Sequence, residues 1–233
     1  MSESDGVRYL HFGSVWVQGA MRLARPFALE LEYQQQMMAL GLLQPAPRQI
    51  LQLGLGAAAL TKFCWRWLPS AQITTVELSE DVVRTARRVF KLPADDQRLR
   101  VVVGDARRFV EATRARFDWV QVDVYDAAAR GPVYDDVRFY RACRRVLCAR
   151  GGAAFNLFGR SFERSVAAIA AAFDDRVLLL PECDGGNRVA LAFLDSRSQL
   201  NYRSLRSRAD QLLRDWRLPA HAWLAGLYAE NGL

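Results

Sequence analysis

Val177-Leu178-Leu179-Leu180 and Val189-Ala190-Leu191-Ala192-Phe193 are two apolar runs, and between them lies the turn-like stretch Cys183-Asp184-Gly185-Gly186-Asn187. Each run has the length of a strand. A connection this short cannot hold the crossover that parallel neighbours need, so the two runs are predicted to form an antiparallel hairpin.

Upstream of the hairpin the pattern alternates between strand and helix. Gln49–Leu53 reads as a short apolar strand, followed by Gly54-Leu55-Gly56 and a helix to Leu68. Residues 72–76 form a second strand. Ser79 suits the N-cap of the next helix, with Glu80 and Asp81 well placed in its first turn. Val82, Val83, Ala86, Val89 and Phe90 give that helix one apolar face. Leu99–Val103 and residues 119–122 are the third and fourth strands. A helix carrying Phe139, Tyr140 and Val146 is predicted to stop at Gly151-Gly152, ahead of a fifth strand at 153–157. Such alternation implies a parallel, doubly wound sheet. A sheet of that kind closed by a terminal antiparallel hairpin is the class I methyltransferase-like (Rossmann-like) α/β arrangement.

The segments around this core are smaller. Residues 7–12 and 15–21 are β-rich runs about a turn at Gly13-Ser14, and Phe27, Leu29, Leu31 and Tyr33 alternate with polar or small residues as in a half-buried strand. Together they predict a small antiparallel meander. A helix over 34–43 follows and ends at Pro45-Ala46-Pro47, and two helices near 205–216 and 220–229 close the chain. The division expected is 1–44 for the meander and linking helix, 45–196 for the methyltransferase-like unit and 197–233 for the C-terminal helices.

Composition narrows the chemistry. With 233 residues, 51% of them hydrophobic, the chain can bury one main core with a small addition. Met1-Ser2-Glu3-Ser4-Asp5-Gly6 has neither the basic nor the apolar part of a signal peptide, and no run approaches a membrane span. A cytoplasmic protein is expected, with no membrane association. Cys64, Cys143, Cys148 and Cys183 form no C-x-x-C pair, and His11 and His221 are the two histidines, so no metal site is expected. Cys64, Cys143 and Cys148 read as packed thiols. The net charge of +7 admits nucleic acid as a partner, but a solvated basic surface is the favoured reading.

Three strand ends carry the residues of interest. Gly54-Leu55-Gly56-Ala57-Ala58-Ala59 follows a strand and opens a helix; glycines let the backbone approach a ligand there, although a tight structural turn would look the same. Glu77 ends the second strand, where an acid can accept hydrogen bonds from ribose hydroxyls. Asp105 ends the third, where an acid can accept from an adenine amino group or simply cap the next helix. Glycine loop and two acids at successive strand ends point to a nucleoside, because ligands of open α/β sheets bind at the strands' carboxyl ends. Asp123 and Asp126 close the fourth strand, and paired acids there can hold a cationic amine and take its proton.

From about Val15 to Leu194 the sequence resembles the spermidine synthase (polyamine aminopropyltransferase) family. That family's Tyr-[His/Gln]-Glu-Met segment matches Gln34-Gln35-Gln36-Met37. Its Gly-Gly-Gly-Asp-Gly-Gly loop matches Gly54 to Ala59, and its Val-Glu-Ile-Asp matches Val76-Glu77-Leu78-Ser79. Its Gly-Asp-Gly matches Gly104-Asp105-Ala106, and its Asp-x-x-Asp matches Asp123 to Asp126. The resemblance implies transfer of an aminopropyl group from decarboxylated S-adenosylmethionine to a diamine such as putrescine, releasing methylthioadenosine. It implies Asp123 as catalytic base and Asp126 and Gln34 in the amine site. It further implies Gln35, Gly54, Gly56, Ala57, Glu77, Asp105 and Ala106 on the nucleoside side, with a homodimer as assembly.

The match is uneven. Gln34 replaces one amine-site tyrosine, Cys183 another, and Ala57 replaces the aspartate that neutralises the aminopropyl ammonium. Loss of that aspartate removes a repulsion toward the carboxylate of intact S-adenosylmethionine, so either form of the co-substrate is expected and the amine acceptor is left open. A methyltransferase acting on a small molecule or RNA, and a non-catalytic nucleoside-binding protein, stand as alternatives. An NAD-dependent oxidoreductase fits the glycine loop but explains neither Asp105 nor the closing hairpin.

Overall fold

The structure, a computed structural model, describes residues 1–11, 17–126, 131–159, 161–195 and 201–233. The chain begins with a small antiparallel sheet whose strands β1 (Ser2–Ser4), β2 (Val7–Leu10) and β3 (Gly19–Arg22) lie in that order. Asp5 and Gly6 join β1 to β2 with positive φ at both residues, the backbone a two-residue hairpin requires. The predicted Gly13-Ser14 turn lies outside the described residues. The strand predicted over 27–33 is absent. The Ala28 amide instead closes a turn on the Arg25 carbonyl, and α1 (Glu32–Met37) has begun by Glu32. The alternation there has another cause: Phe27 stacks on Trp65, Leu29 is buried, and Glu30 pairs with Arg22. The helix predicted over 34–43 is also divided, into α1 and α2 (Leu40–Leu43).

The alternating core follows in the order β4 (Gln49–Leu53), α3 (Ala59–Trp67), β5 (Gln72–Glu77), α4 (Glu80–Val89), β6 (Leu99–Val103), α5 (Ala106–Ala112) and β7 (Phe117–Val122). It continues with α6 (Val137–Arg145), β8 (Leu147–Phe158), α7 (Phe162–Phe173), β9 (Val177–Leu179) and β10 (Asn187–Phe193), and ends in α8 (Tyr202–Trp216) and α9 (Ala220–Asn231). Among the described residues the main sheet runs β6-β5-β4-β7-β8-β10-β9. Strands β4 to β8 pair in parallel, while β10 is antiparallel to both β8 and β9. The predicted hairpin is therefore present. Its turn is fixed by the Cys183 amide on the Asn187 carbonyl and the Gly186 amide on the Cys183 carbonyl.

One boundary differs. Gly151-Gly152 does not end a helix but lies inside β8, and α6 stops at Arg145. Small residues are needed there for closeness: a Cβ on Gly152 would stand 3.0 Å from Leu40 Cδ2, and one on Gly151 3.0 Å from the Phe117 carbonyl oxygen.

Successive strand residues face opposite layers, so each face of the sheet buries its own core. Ile50, Ile73 and Trp119 pack under α3 and the C-terminal helices, whereas Leu51, Val76 and Val120 pack under α5 to α7. On the first face a lateral row of polar residues interrupts the apolar layer. Thr75, Gln52 and Gln121 are register partners on β5, β4 and β7. Gln52 accepts from Thr61 and Thr75 (2.7 and 2.9 Å) and donates to Gln121 (2.9 Å), which donates on to the Met37 carbonyl (3.4 Å). The C-terminal helices seal this face: Trp216 meets Trp119 and Phe63 edge-on, and Arg208 holds the carbonyls that end α2. Asn231 of α9 bonds both the amide and the carbonyl of Leu179 on the edge strand β9. Cys64, Cys143 and Cys183 are buried free thiols, and Cys148 is partly exposed.

Lys62, one of only two lysines, is buried in α3 with its ammonium on the Phe90 carbonyl at 2.7 Å. Burial pushes it from the ordinary 10.5 down to about 7. Between these values the unfolded chain binds the extra proton, so this residue's contribution to stability rises with pH across that window. Urea denaturation of the wild type and Lys62→Met should show the mutant's advantage shrinking steadily from pH 7 toward pH 10. Parallel stability curves would contradict the assignment.

Candidate functional site

The parallel order places the carboxyl ends of β6, β5, β4 and β7 side by side, and with them Asp105, Glu77, Gly54 and Asp123. The glycine loop is shaped by packing as well as by access. Gly54 has φ 93°, and a Cβ on it would lie 2.1 Å from the Asp123 carbonyl oxygen. No other residue fits, so this glycine sets how closely the loop carrying Asp123 approaches. Gly56, with φ 51°, passes under the Gln18 carbonyl.

Glu77 is tied to that loop: Oε2 accepts from the Leu55 amide at 3.0 Å and Oε1 from the Ser79 amide at 2.9 Å. A carboxylate has about four acceptor positions, so each oxygen retains one for an outside donor. Asp105 does cap α5, accepting from the Arg108 amide at 2.8 Å, and its other oxygen accepts from the Tyr134 hydroxyl. Burial pushes its carboxyl up, but the Tyr134 and Arg108 hydrogen bonds outweigh this and hold it below the usual range. Burial and the Asp105 contact push Tyr134 up to about 12. Ala106 is the buried first residue of α5. Beside these acids Leu78 and Val103 are 69% and 51% exposed, two apolar side chains at adjacent strand ends. That makes an apolar floor with acids at its edges.

Asp123 has the most organised surroundings. Oδ1 accepts from Asn156 Nδ2 at 2.8 Å and Oδ2 from the Tyr33 hydroxyl at 3.2 Å. Gln34 Nε2 in turn donates to the Tyr33 hydroxyl at 3.2 Å. Burial raises the Asp123 carboxyl above the ordinary carboxylate range, and the Asn156 and Tyr33 bonds offset part of this. A partly buried carboxyl so raised is suited to taking a proton.

The remaining predicted residues stand around this carboxylate and the hairpin. A tyrosine does stand on Asp123, but it is Tyr33 rather than the occupant of position 34. Helix α1 starts at Glu32, and the residue read as part of a strand lies in its first turn. Gln34 is buried behind it. Gln35 donates to the Leu29 carbonyl at 2.9 Å. Cys183 sits in the hairpin turn beside Glu32; burial and then Glu32 push its thiol up to about 12. The Asp126 carbonyl accepts from Gln18 Nε2 at 3.3 Å.

Ala57 departs furthest from expectation. Its methyl is buried in a cluster with Leu10, Met21 and Phe90, and a Cβ on Gly19 would meet it at 2.6 Å. It faces the small N-terminal sheet, not an open site.

Missed by the sequence reading were Tyr33, Tyr134 and Asn156. The available signal for Asn156 was a lone amide within the otherwise apolar Ala153-Ala154-Phe155-Asn156-Leu157.

Fold and strand-end acids together define a class I methyltransferase-like protein. Among the described residues no group of three or more His, Cys, Asp and Glu could hold a metal ion, and no helix is long and apolar enough to cross a membrane. The family model for the spermine/spermidine synthase domain matches residues 30–155. The polyamine aminopropyltransferase of Neisseria meningitidis serogroup A is 32% identical over 234 residues, covering 99% of this chain and 89% of the relative. That of Chromobacterium violaceum is 31% identical, covering 91% and 82%. Among solved structures, a probable spermidine synthase from Corynebacterium glutamicum superposes with a TM-score of 0.69 at 22% identity, covering 91% of this chain and 84% of that one. Human methyltransferase-like protein 13, in complex with SAH, gives 0.71 at 22% identity over 81% and 93%; at these identities both show the shared fold. The chain belongs to the spermine/spermidine synthase family and is a transferase of the aminopropyltransferase kind.

The position of Ala57 changes what its replacement should do. Ala57→Asp puts a carboxylate into a closed apolar cluster facing Gly19, which costs several kcal/mol unless the sheet moves away. Thermal unfolding should show a marked fall in Tm. An unchanged Tm with altered preference between intact and decarboxylated S-adenosylmethionine would mean that the side chain faces the ligand after all.

Proposed function

We propose that this site transfers an aminopropyl group from decarboxylated S-adenosylmethionine to an aliphatic amine, with Asp123 as the base. The carrying observation is the partly buried Asp123, held by Tyr33 and Asn156, on the same strand-end side of the sheet as two acids with an apolar floor. Glu77 would accept from the ribose hydroxyls and Asp105 from the adenine amino group, with Leu78 under the ring. In the transfer the amine nitrogen attacks the carbon bonded to the sulfonium, the carbon–nitrogen bond forms, and the carbon–sulfur bond breaks. The bonding pair returns to sulfur, leaving methylthioadenosine, and the proton shed by nitrogen goes to Asp123. The family membership and relatives named polyamine aminopropyltransferase support this reading. The Ala57 methyl packs toward the N-terminal sheet and so does not favour the carboxylate of intact S-adenosylmethionine, which leaves the decarboxylated form as the better candidate.

Release of methylthioadenosine from decarboxylated S-adenosylmethionine, assayed against a panel of aliphatic diamines including putrescine, tests the proposal. Asp123→Asn should lower turnover at least about 100-fold, since an amide cannot take the proton. A mutant of near wild-type rate would exclude Asp123 as base. Independently, Glu77→Ala should weaken methylthioadenosine by roughly 1–3 kcal/mol in calorimetry, the scale of hydrogen bonds to a charged group. Equal affinities would remove the ribose assignment.

A further inference from the structure

Asp123 receives one of its two side-chain hydrogen bonds from an amide, and an amide has two unlike ends. Asn156 is buried in β8, where its Nδ2 donates to Asp123 Oδ1 at 2.8 Å. Its Oδ1 accepts from Asn187 Nδ2 at 2.9 Å, and its backbone carbonyl accepts from the Tyr125 hydroxyl at 3.0 Å. Rotating the Asn156 amide by half a turn would aim two oxygens at each other on the carboxylate side and two NH2 groups on the other. The acceptor on Asp123 and the donor on Asn187 therefore favour the same orientation, the one in which Asn156 supports the carboxylate. Asn187 is itself well placed to do so. It is the first residue of β10 and pairs with Phe158, two positions along β8 from Asn156 and thus on the same face. Its backbone is fixed by the Cys183 amide across the hairpin turn.

We infer that Asn187 is a positioning residue, through which the closing hairpin fixes the Asn156 amide and with it the protonation behaviour of Asp123. The inference rests on the reading of Asp123 as base for its functional meaning, but not for its geometry. The groups that act on or with Asp123 are Tyr33 from α1, Asn156 from β8 and Tyr125 from its own loop, with Asp135 also acting on Tyr125. Asn156 gives the larger of the two hydrogen-bond effects that lower the carboxyl. Anything that turns the amide round removes that effect and adds a repulsion.

Asn187→Asp is nearly isosteric and has an acceptor where the wild type has a donor, so two carboxylates then compete for the one NH2 of Asn156. Asn187→Ala removes more volume but leaves Asn156 free to keep its donor on Asp123. A purely structural role would make alanine the more disruptive change; positioning makes aspartate so. The readout is the Asp123 titration by carbon NMR on protein labelled with carboxyl-13C aspartate, with the signal assigned by its loss in Asp123→Asn. Asn187→Asp should raise the Asp123 midpoint by about one pH unit or more, and Asn187→Ala by much less. The added charge acts directly as well, so the same substitution is repeated in an Asn156→Ala background, or Asn156→Ser if the alanine variant does not fold. There the shift should fall to less than about half, the non-additivity of a chain that runs through Asn156. Equal shifts in both backgrounds, or no shift in either, would overturn the inference. The titration needs no turnover, so loss of the aminopropyl-transfer reading through an active Asp123→Asn is a separate result.

Discussion

The side-chain amide of Gln52 lies in the middle of the sheet, where the surroundings are otherwise apolar, and all of its hydrogen-bonding capacity is turned toward protein. It accepts from Thr61 on α3 and Thr75 on β5 and donates to Gln121 on β7. Leaving any one of these groups unpaired would cost about 1–3 kcal/mol, against a net gain near 1 kcal/mol for each bond made. That asymmetry makes the row a constraint on position more than a source of stability. It admits one register for three strands and one height for α3. Through Gln121 and the Met37 carbonyl it also anchors the end of α1.

The site inherits that anchorage. With α1 held at its last residue, Tyr33 in its first turn reaches Asp123, and Glu32 and Gln36 reach the closing hairpin through the Asp184 amide and the Pro181 carbonyl. The other approach to Asp123 comes from β8 and β10. The carboxylate is thus held by one phenol from α1 and one amide from the neighbouring strand β8, while Gly54 lies against its backbone carbonyl. The nucleoside side is built more simply. Glu77 is the last residue of β5, Asp105 lies two residues past β6 as the N-cap of α5, and both spend part of their capacity on backbone amides. They organise the loops that would surround a ligand before one arrives, which reduces the ordering that binding must supply.

What could be read from the sequence follows from which signals are local. Strand alternation and the short connection between residues 180 and 189 depend on nearest neighbours, and they fixed the sheet's class and its closing hairpin correctly. The acids at strand ends were legible for the same reason. Tyr33 was not, because Phe27, Leu29, Leu31 and Tyr33 alternate as a strand would, and only the absence of a pairing partner turns them into a turn and a helix start. The packing of Ala57 was not legible because its neighbour Gly19 is 38 positions away in sequence, and a loop motif does not reveal which side of it is covered. The polar row left a trace, since Gln52 and Gln121 each stand within an apolar strand. Their pairing became visible only once the two strands were set in register.

The bonds of Asn231 to both backbone groups of Leu179 bear on events during synthesis. Strand β9 is the last of its sheet on that side, and an open edge of this kind is a template for another chain. The asparagine imitates one residue of a neighbouring strand, and α9 covers the remainder, with Gly226 lying directly on Pro181. A ribosome makes β9 some fifty residues before Asn231. Once β10 has followed at Asn187–Phe193, β9 is paired on its inner side but unguarded on the other until α9 is made. Until then that flank can template pairing with another chain, and the final turn of α9 closes it by supplying the donor and the acceptor that a neighbouring strand would.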